Sequence, residues 1–180
     1  MLFRSWIARR QVLDDFLAGQ AADRGADLRY GHAATAISRQ GDLWQVSDGQ
    51  GLQLEARGLV IADGSSSSFA AAQGLGPARP RYAATVSVEA EGTPSPADVA
   101  HFEFGLVHHG FCWAFPRSGG YSIGVGTFIG QQEADSHAVL ARMLPSLGLD
   151  PEAGVRRAGL LRIWDGHHPL HGDGVVAVGD

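Results

Sequence analysis

Phe111-Cys112-Trp113-Ala114-Phe115-Pro116, followed after seven residues by Gly124-Val125-Gly126, is the stretch on which the fold turns. Side chains alternate along a strand, so Phe111, Trp113 and Phe115 share one face and form an aromatic stripe. Cys112 and Ala114 fall on the other face and are small enough to pack closely on a neighbouring layer. Pro116 donates no backbone hydrogen bond and belongs at the strand's end or edge. Ser118-Gly119-Gly120 marks a hairpin turn into a second strand, on which Gly124 and Gly126 share a face and leave room opposite the rings. An aromatic wall with a glycine floor makes a slot for a long apolar ligand. The alternative is a plain aromatic core with glycines admitting bulky rings, and the residues alone favour it, since aromatic stripes are usually interior.

Outward from this hairpin, residues 82–91 read as a long strand, 92–98 as a proline-rich loop, and 101–105 and 120–128 as further strands of one antiparallel sheet. Residues 134–146 place Ala134, Val139, Leu140 and Met143 on one side of a helix, and 155–163 form another strand. Upstream, Val12, Leu13, Phe16, Leu17 and Ala21 recur at helical spacing until Gly25, which predicts a helix over 10–24. Short β segments at 27–30, 33–38, 42–47 and 51–56 are punctuated by Gly31, Gly41 and Asp48-Gly49. The apolar run 58–62 reads as a buried strand ending at Asp63-Gly64, with a short helix over 67–73. Gly74 to Pro80 is rich in Gly and Pro and marks a domain transition, and 174–178 returns to a buried strand. The resulting class is α+β with an α/β layer. Its domains are 1–76, an antiparallel-sheet domain over 77–170, and a return strand over 171–180.

Composition narrows the chemistry. The 180 residues are 44% hydrophobic, enough for one domain or two small ones. A net charge of −5 without a basic stripe speaks against nucleic acid as a partner. All fourteen cations are Arg, so these residues supply no Schiff-base or P-loop lysine. The single Cys112 excludes an internal disulfide and any multi-cysteine metal site. It lacks an evident activating base, and buried packing is its expected role. His108-His109 and His167-His168-x-x-His171 read as solvated loop residues rather than metal ligands, because adjacent strand residues point to opposite faces. Ser65 to Ser68 lacks the Gly-x-Ser-x-Gly elbow of a hydrolase. No apolar run reaches the ~20 residues of a membrane span, and the start lacks the apolar core of a signal peptide. The expectation is a cytoplasmic protein, compatible with peripheral contact at a membrane surface.

Two segments repeat one logic. Leu59-Val60-Ile61-Ala62-Asp63-Gly64 and Gly174-Val175-Val176-Ala177-Val178-Gly179-Asp180 each run from a buried strand into a Gly/Asp turn. Ligands of open α/β sheets bind at such carboxyl ends. There a carboxylate accepts hydrogen bonds from sugar-like hydroxyls, and glycine permits close backbone approach. An ordinary strand-to-helix turn with Asp63 or Ser65 as N-cap is the alternative for the first, and a surface turn for the second. Together the two suggest one polyhydroxylated cofactor held from two sides.

The stretch Phe111 to Gly126 resembles the aromatic-x-Trp-x-Phe-Pro, seven residues, Gly-x-Gly signature of the geranylgeranyl reductase family of flavoproteins, with Phe111 where the family usually has Tyr. Ala62-Asp63-Gly64 resembles the Asp-Gly motif of the wider flavoprotein fold; Ser67 fits its continuation, and Ala70 stands where an Arg is usual. Arg10-x-x-Leu13-Asp14-x-x-Leu17 resembles the family's first helix, and Val178-Gly179-Asp180 the start of its second flavin motif.

The resemblance implies a partial FAD-binding, Rossmann-like layer plus an antiparallel substrate-domain sheet. It implies Arg10, Ala34, Asp63, Gly64, Gly179 and Asp180 as FAD-binding residues. Phe111, Trp113, Phe115, Pro116, Gly124 and Gly126 become substrate-binding residues, and the readings of Asp63, Asp180 and the stripe turn from structural to functional. The implied reaction reduces C=C bonds of a prenyl-chain substrate, a small molecule or lipid, with NADPH or ferredoxin as electron donor. No metal is implied, and no catalytic acid is identifiable. The Gly-x-Gly-x-x-Gly pyrophosphate turn is absent from these residues and expected upstream of Met1. This internal fragment is therefore expected to bind FAD weakly or not at all alone. The alternatives are a monooxygenase or halogenase of the same fold, and a non-catalytic prenyl- or lipid-binding module. Oligomeric state stays open.

Overall fold

The computed structural model describes residues 7–128, 135–152 and 154–179. In chain order the elements are α1 (Arg10–Asp23), β1 (Ala36–Gln40), β2 (Leu43–Ser47), β3 (Gln53–Ala56), β4 (Leu59–Ile61), α2 (Ser68–Ala72) and β5 (Arg81–Glu91). There follow β6 (His101–Phe104), β7 (Gly110–Arg117), β8 (Gly120–Phe128), α3 (Ser136–Ser146), β9 (Arg156–Ile163), β10 (His171–Gly172) and β11 (Val175–Ala177). Contacts divide the chain into two compact units: Met1–Ala21 with Tyr82–Leu161, and Ala22–Arg81 with Arg162–Asp180. These bounds differ from the expected 1–76, 77–170 and 171–180. The physical reason lies in where the end of β9 and the segment after it find their partners. Arg162 bonds the carbonyl of Ser65, Gly76 N–H donates to Pro169 O (2.7 Å), and Ala177 N–H donates to Leu170 O (2.8 Å).

The sheet unit carries five strands in the order β6-β7-β8-β5-β9. β7 and β8 pair antiparallel with Arg117 opposite Gly120, closing on the two-residue loop Ser118-Gly119. One face of this sheet is the core. Cys112, Ala114, Ile123, Val125, Val88 and Ala90 meet Val139, Leu140, Met143 and Leu144 of α3, which explains why alternate positions of β7 are small and apolar. Asp135 caps α3 by accepting from His137 N–H at 2.9 Å; residue 134, expected to open this helix, lies outside the described residues. At the hairpin end the side chain of Arg117 is 2% exposed and ion-paired to Glu89 (2.7 Å) and Glu91 (3.2 Å). Arg117 also donates to the carbonyl of Ser118 (3.0 Å). A charge this buried needs such partners. α1 buries none of its residues.

The other face carries Phe111, Trp113 and Phe115. The register sets Trp113 directly opposite Gly124, and Phe111 opposite Gly126. A Cβ at Gly124 would lie 2.1 Å from the Trp113 ring, and one at Gly126 3.6 Å from it. The glycines are therefore not an open floor facing the rings. They are lateral neighbours, and the indole occupies the space they leave. Pro116 pairs only with Tyr121 of β8 and has no opposite residue on β6, so its missing donor disrupts nothing.

The second unit combines an antiparallel sheet, β1-β2-β3, with β10-β11-β4, in which β11 runs parallel to β4. Trp44, Ile61, Ala70, Leu75 and Val175 form its core. Arg39 stacks over Trp44 (5.7 Å) and pairs with Asp173 (2.7 Å), tying β1 to the β10–β11 turn. Residues 27–30 form no strand. Arg29 bonds Asp27 two residues away, and Gly31 takes φ 77°, a local arrangement that competes with pairing. The cap of α2 is Ser67, whose Oγ accepts from Ala70 N–H (3.0 Å), rather than Asp63 or Ser65. Asp48 accepts from Gln50 and Leu52 N–H and pairs with His32 at 2.8 Å. The His32 hydrogen bond, followed by that from Gln50, holds its carboxyl down from 3.8 to about 2.

Two outcomes are expected. Gly124→Ala forces the Trp113 ring to move and lowers stability by about 1–3 kcal/mol in urea unfolding. Adding Trp113→Ala recovers part of that loss, whereas independent effects would sum. The Asp48 turn contributes its full stability above pH 3.8 and loses it as pH falls through about 2; in acid titration Asp48→Asn removes that part of the transition.

Candidate functional site

A cavity of about 570 Å³ lies within the second unit, at the carboxyl ends of β4 and β11. The parallel pairing builds it: Val178 N–H donates to Ile61 O at 3.0 Å, so the residues that follow each strand emerge side by side. Asp63 and Gly64 follow β4, Gly179 follows β11, and all three line the cavity. Gly64 takes φ 95° and Gly179 φ 87°, and a Cβ on either would meet nothing within 4 Å. Their backbone conformation, not crowding, is what calls for glycine, and the space beside both is open. Asp63 is exposed.

Further wall comes from the end of β9 and the segment that follows it. Arg162 donates from Nη2 to Ser65 O at 2.6 Å, while its Nε is buried with no hydrogen-bond partner. Trp164 is 76% exposed at the rim, with the His167 ring edge-on at 5.6 Å. Asp165 Oδ1 lies 2.9 Å from His168 Nε2. The walls are largely apolar, with Ile61, Leu75, Ile163 and Leu170 among them, and carry an accessible carboxylate and two bare backbone turns. The site suits a ligand rich in hydroxyls, which the carboxylate can accept from.

The expected site residues therefore divide. Asp63, Gly64 and Gly179 come together. Ala34 is exposed just before β1, in the same unit, and is not part of the cavity wall. Arg10 is exposed on α1 in the sheet unit, with Nε 3.1 Å from Asp14 Oδ1. Asp180 lies outside the described residues. Phe111, Trp113 and Phe115 form a connected row, with centroids 6.0 and 6.3 Å apart. Phe102 joins it from β6, 5.1 Å from Phe115 and edge-on, and Phe104 lies 6.0 Å from Phe111. Burial pushes the Cys112 thiol up, with Glu103 adding to it, in keeping with a packing role.

Sequence reasoning missed Arg162, Trp164, Asp165 and His168 on the cavity, and Phe102 and Phe104 on the aromatic face. The alternation Phe102-Glu103-Phe104 could have found the last two. For the cavity residues the signal was an aromatic and two charges clustered at a strand end, beside histidines read as solvated. Among the described residues no group of three or more His, Cys, Asp or Glu could hold a metal ion. None of their helices is long and apolar enough to cross a membrane.

The chain is 31% identical to digeranylgeranylglycerophospholipid reductase 2 of Methanothermobacter thermautotrophicus, over 98% of its own length and 48% of the relative's. It is 26% identical to digeranylgeranylglycerophospholipid reductase of Methanocaldococcus jannaschii, over 68% of this chain and 34% of that one. The chain thus spans about half the length, or less, of these curated relatives. Among solved structures, a geranylgeranyl bacteriochlorophyll reductase-like protein from Thermoplasma acidophilum superposes with a TM-score of 0.79 at 21% identity, covering 94% of this chain and 46% of that one. That likeness shows a shared flavoprotein fold. The model of the family described as FAD dependent oxidoreductase matches residues 2–180, and the chain belongs to that family.

Proposed function

We propose that the protein reduces carbon–carbon double bonds of a prenyl chain carried by a lipid, with FAD as cofactor. The observation that carries this reading is the uncovered aromatic face of the sheet unit. Five rings from β6 and β7, with centroids 5.1 to 6.3 Å apart, form one apolar surface. Such a surface suits a long, branched, weakly polar chain, which gains by leaving water and has no hydrogen bonds to satisfy. Two relatives named for reducing digeranylgeranylglycerophospholipids support it.

In this reading Phe111, Trp113 and Phe115 contact the chain, Gly124 and Gly126 seat the indole, and Pro116 ends the strand that presents the rings. Asp63 accepts hydrogen bonds from cofactor hydroxyls, while Gly64 and Gly179 let the cofactor approach the backbone. Ala34, Arg10 and Asp180 complete the cofactor contacts. The cavity residues fit the group: an open carboxylate lies beside two left-handed glycines at adjoining strand ends. Bound FAD supplies the hydride; the chain's own residues orient it and exclude water. NADPH or ferredoxin is the electron donor, and mixing the oxidised holoprotein with each separately distinguishes them. A lipid substrate implies peripheral contact with the membrane surface.

The test uses the full-length, FAD-loaded protein, reduced without oxygen. Adding a geranylgeranylated glycerophospholipid in mixed micelles should reoxidise the flavin and yield a saturated product. Reoxidation by oxygen alone, with hydroxylated or halogenated product, points to a monooxygenase or halogenase and excludes the reductase. A full-length protein that takes up no flavin points to a lipid-binding module. Two substitutions separate the two halves of the site. Trp113→Ala raises KM for the lipid about tenfold, the factor for about 1.4 kcal/mol, and leaves FAD affinity unchanged. Asp63→Ala weakens FAD binding about ten- to a hundredfold, as expected for a lost hydrogen bond to a charged group.

A further inference from the structure

We propose that Arg162 holds an anionic oxygen group of the flavin cofactor in the cavity at the ends of β4 and β11. The inference rests on the assignment of FAD to that cavity and is independent of the substrate.

Arg162 lines the cavity together with Asp63, Gly64 and Gly179, all within one compact unit. Its guanidinium is only partly engaged. Nη2 donates to Ser65 O at 2.6 Å, and Nε is buried with no hydrogen-bond partner among the described residues. Gly76 lies against the head of the side chain, where a Cβ would stand 3.0 Å from Nη1. Bare backbone at that point leaves the planar group its room.

The charge points to a ligand. The cavity wall carries two carboxylates, and neither pairs with Arg162 among the described residues. Asp63 is exposed and makes no ion pair there, and Asp165 Oδ1 lies instead 2.9 Å from His168 Nε2. Arg117 shows the contrast: its side chain is 2% exposed and bonded to both Glu89 and Glu91. A guanidinium drawn partly out of water without a carboxylate costs free energy, and so does a buried N–H without an acceptor. An anion in the cavity offsets the first cost, and the planar fork of arginine is shaped for oxyanions. Because Asp63 and Arg162 do not neutralise each other, both stay available. The carboxylate takes hydroxyls and the guanidinium takes the anion. FAD carries anionic oxygen in two places. One is its diphosphate, in either oxidation state. The other is the ring edge at N1 and O2, where charge develops only on reduction.

The test uses the full-length protein, stripped of flavin and titrated with FAD, both oxidised and, without oxygen, reduced. Arg162→Gln removes the charge yet keeps a donor for the Ser65 carbonyl; Arg162→Lys keeps the charge. Arg162→Gln weakens FAD binding about ten- to a hundredfold, the range for a lost hydrogen bond to a charged group, and Arg162→Lys recovers part of that loss. Oxidation state separates the two sources of the anion. Equal losses in both states, with the reduction potential unchanged, assign the diphosphate. A loss confined to reduced FAD assigns the ring edge, and each tenfold then lowers the two-electron potential by about 30 mV. Should Arg162→Gln not fold, the Nε–H resonance of wild-type Arg162, identified by its loss in Arg162→Lys, carries the test: FAD must move it. A wild type that takes up no FAD, or whose affinity survives Asp63→Ala unchanged, defeats the assignment of the cavity and this inference with it. Arg162→Gln binding both forms of FAD as wild type does, while Asp63→Ala does not, overturns the role of Arg162 alone. So does a loss that Arg162→Gln and Arg162→Lys share equally, which marks a packing role, and so does an Nε–H resonance that FAD leaves in place.

Discussion

Strict alternation along β7 is the constraint on which the sheet unit depends. Each residue on this strand must serve one of two faces, and neighbours cannot share a role. Cys112 and Ala114 are fully or nearly fully buried against α3, while Phe111, Trp113 and Phe115 point the other way. Placing rings on the α3 side would push the helix off the sheet. A one-residue slip of register would exchange the two faces entirely. The hairpin Ser118-Gly119 and the buried Arg117 network hold that register at one end. The contact of Trp113 with Gly124 holds it midway, since any other residue opposite the indole would collide with it.

The second unit answers a different constraint. β4 and β11 are far apart in sequence but parallel and adjacent in space. Parallel neighbours put both carboxyl ends at the same edge, so Asp63-Gly64 and Gly179 open onto one cavity. An antiparallel pairing would have sent them to opposite edges. The end of β9 and the segment after it supply further wall, anchored by Arg162 on the Ser65 carbonyl.

The two units present different side chains. The sheet unit offers an aromatic surface on β6 and β7, with the buried Arg117 ion pairs at its hairpin end. The other offers a carboxylate, a guanidinium, a carboxylate–imidazole pair and two open glycine turns. Strands present rigid rings, while turns after strands present polar groups and bare backbone.

What the amino-acid sequence determined by itself was whatever depends on local period and local chemistry. The two-residue repeat of β7, the apolar runs of β4 and β11, the helical spacing of α3 and the Gly/Asp turns could all be read directly. With them came the aromatic face; that Asp63 and Gly179 line one cavity is what the structure adds. The strand expected at 27–30 failed because side-chain bonds within Asp27–Arg29 and the turn at Gly31 outweigh a weak β pattern. The α2 cap moved to Ser67 because only its oxygen reaches a free N–H of the first turn. The tertiary structure alone decided what depends on distance across the chain. It set Trp113 beside Gly124 rather than facing it, brought Arg162 to Ser65, and turned two loop residues, Asp165 and His168, into a pair on the cavity wall. Those arrangements follow from strand register and from the path of a connecting segment, and neither is encoded in the spacing of the residues that finally meet.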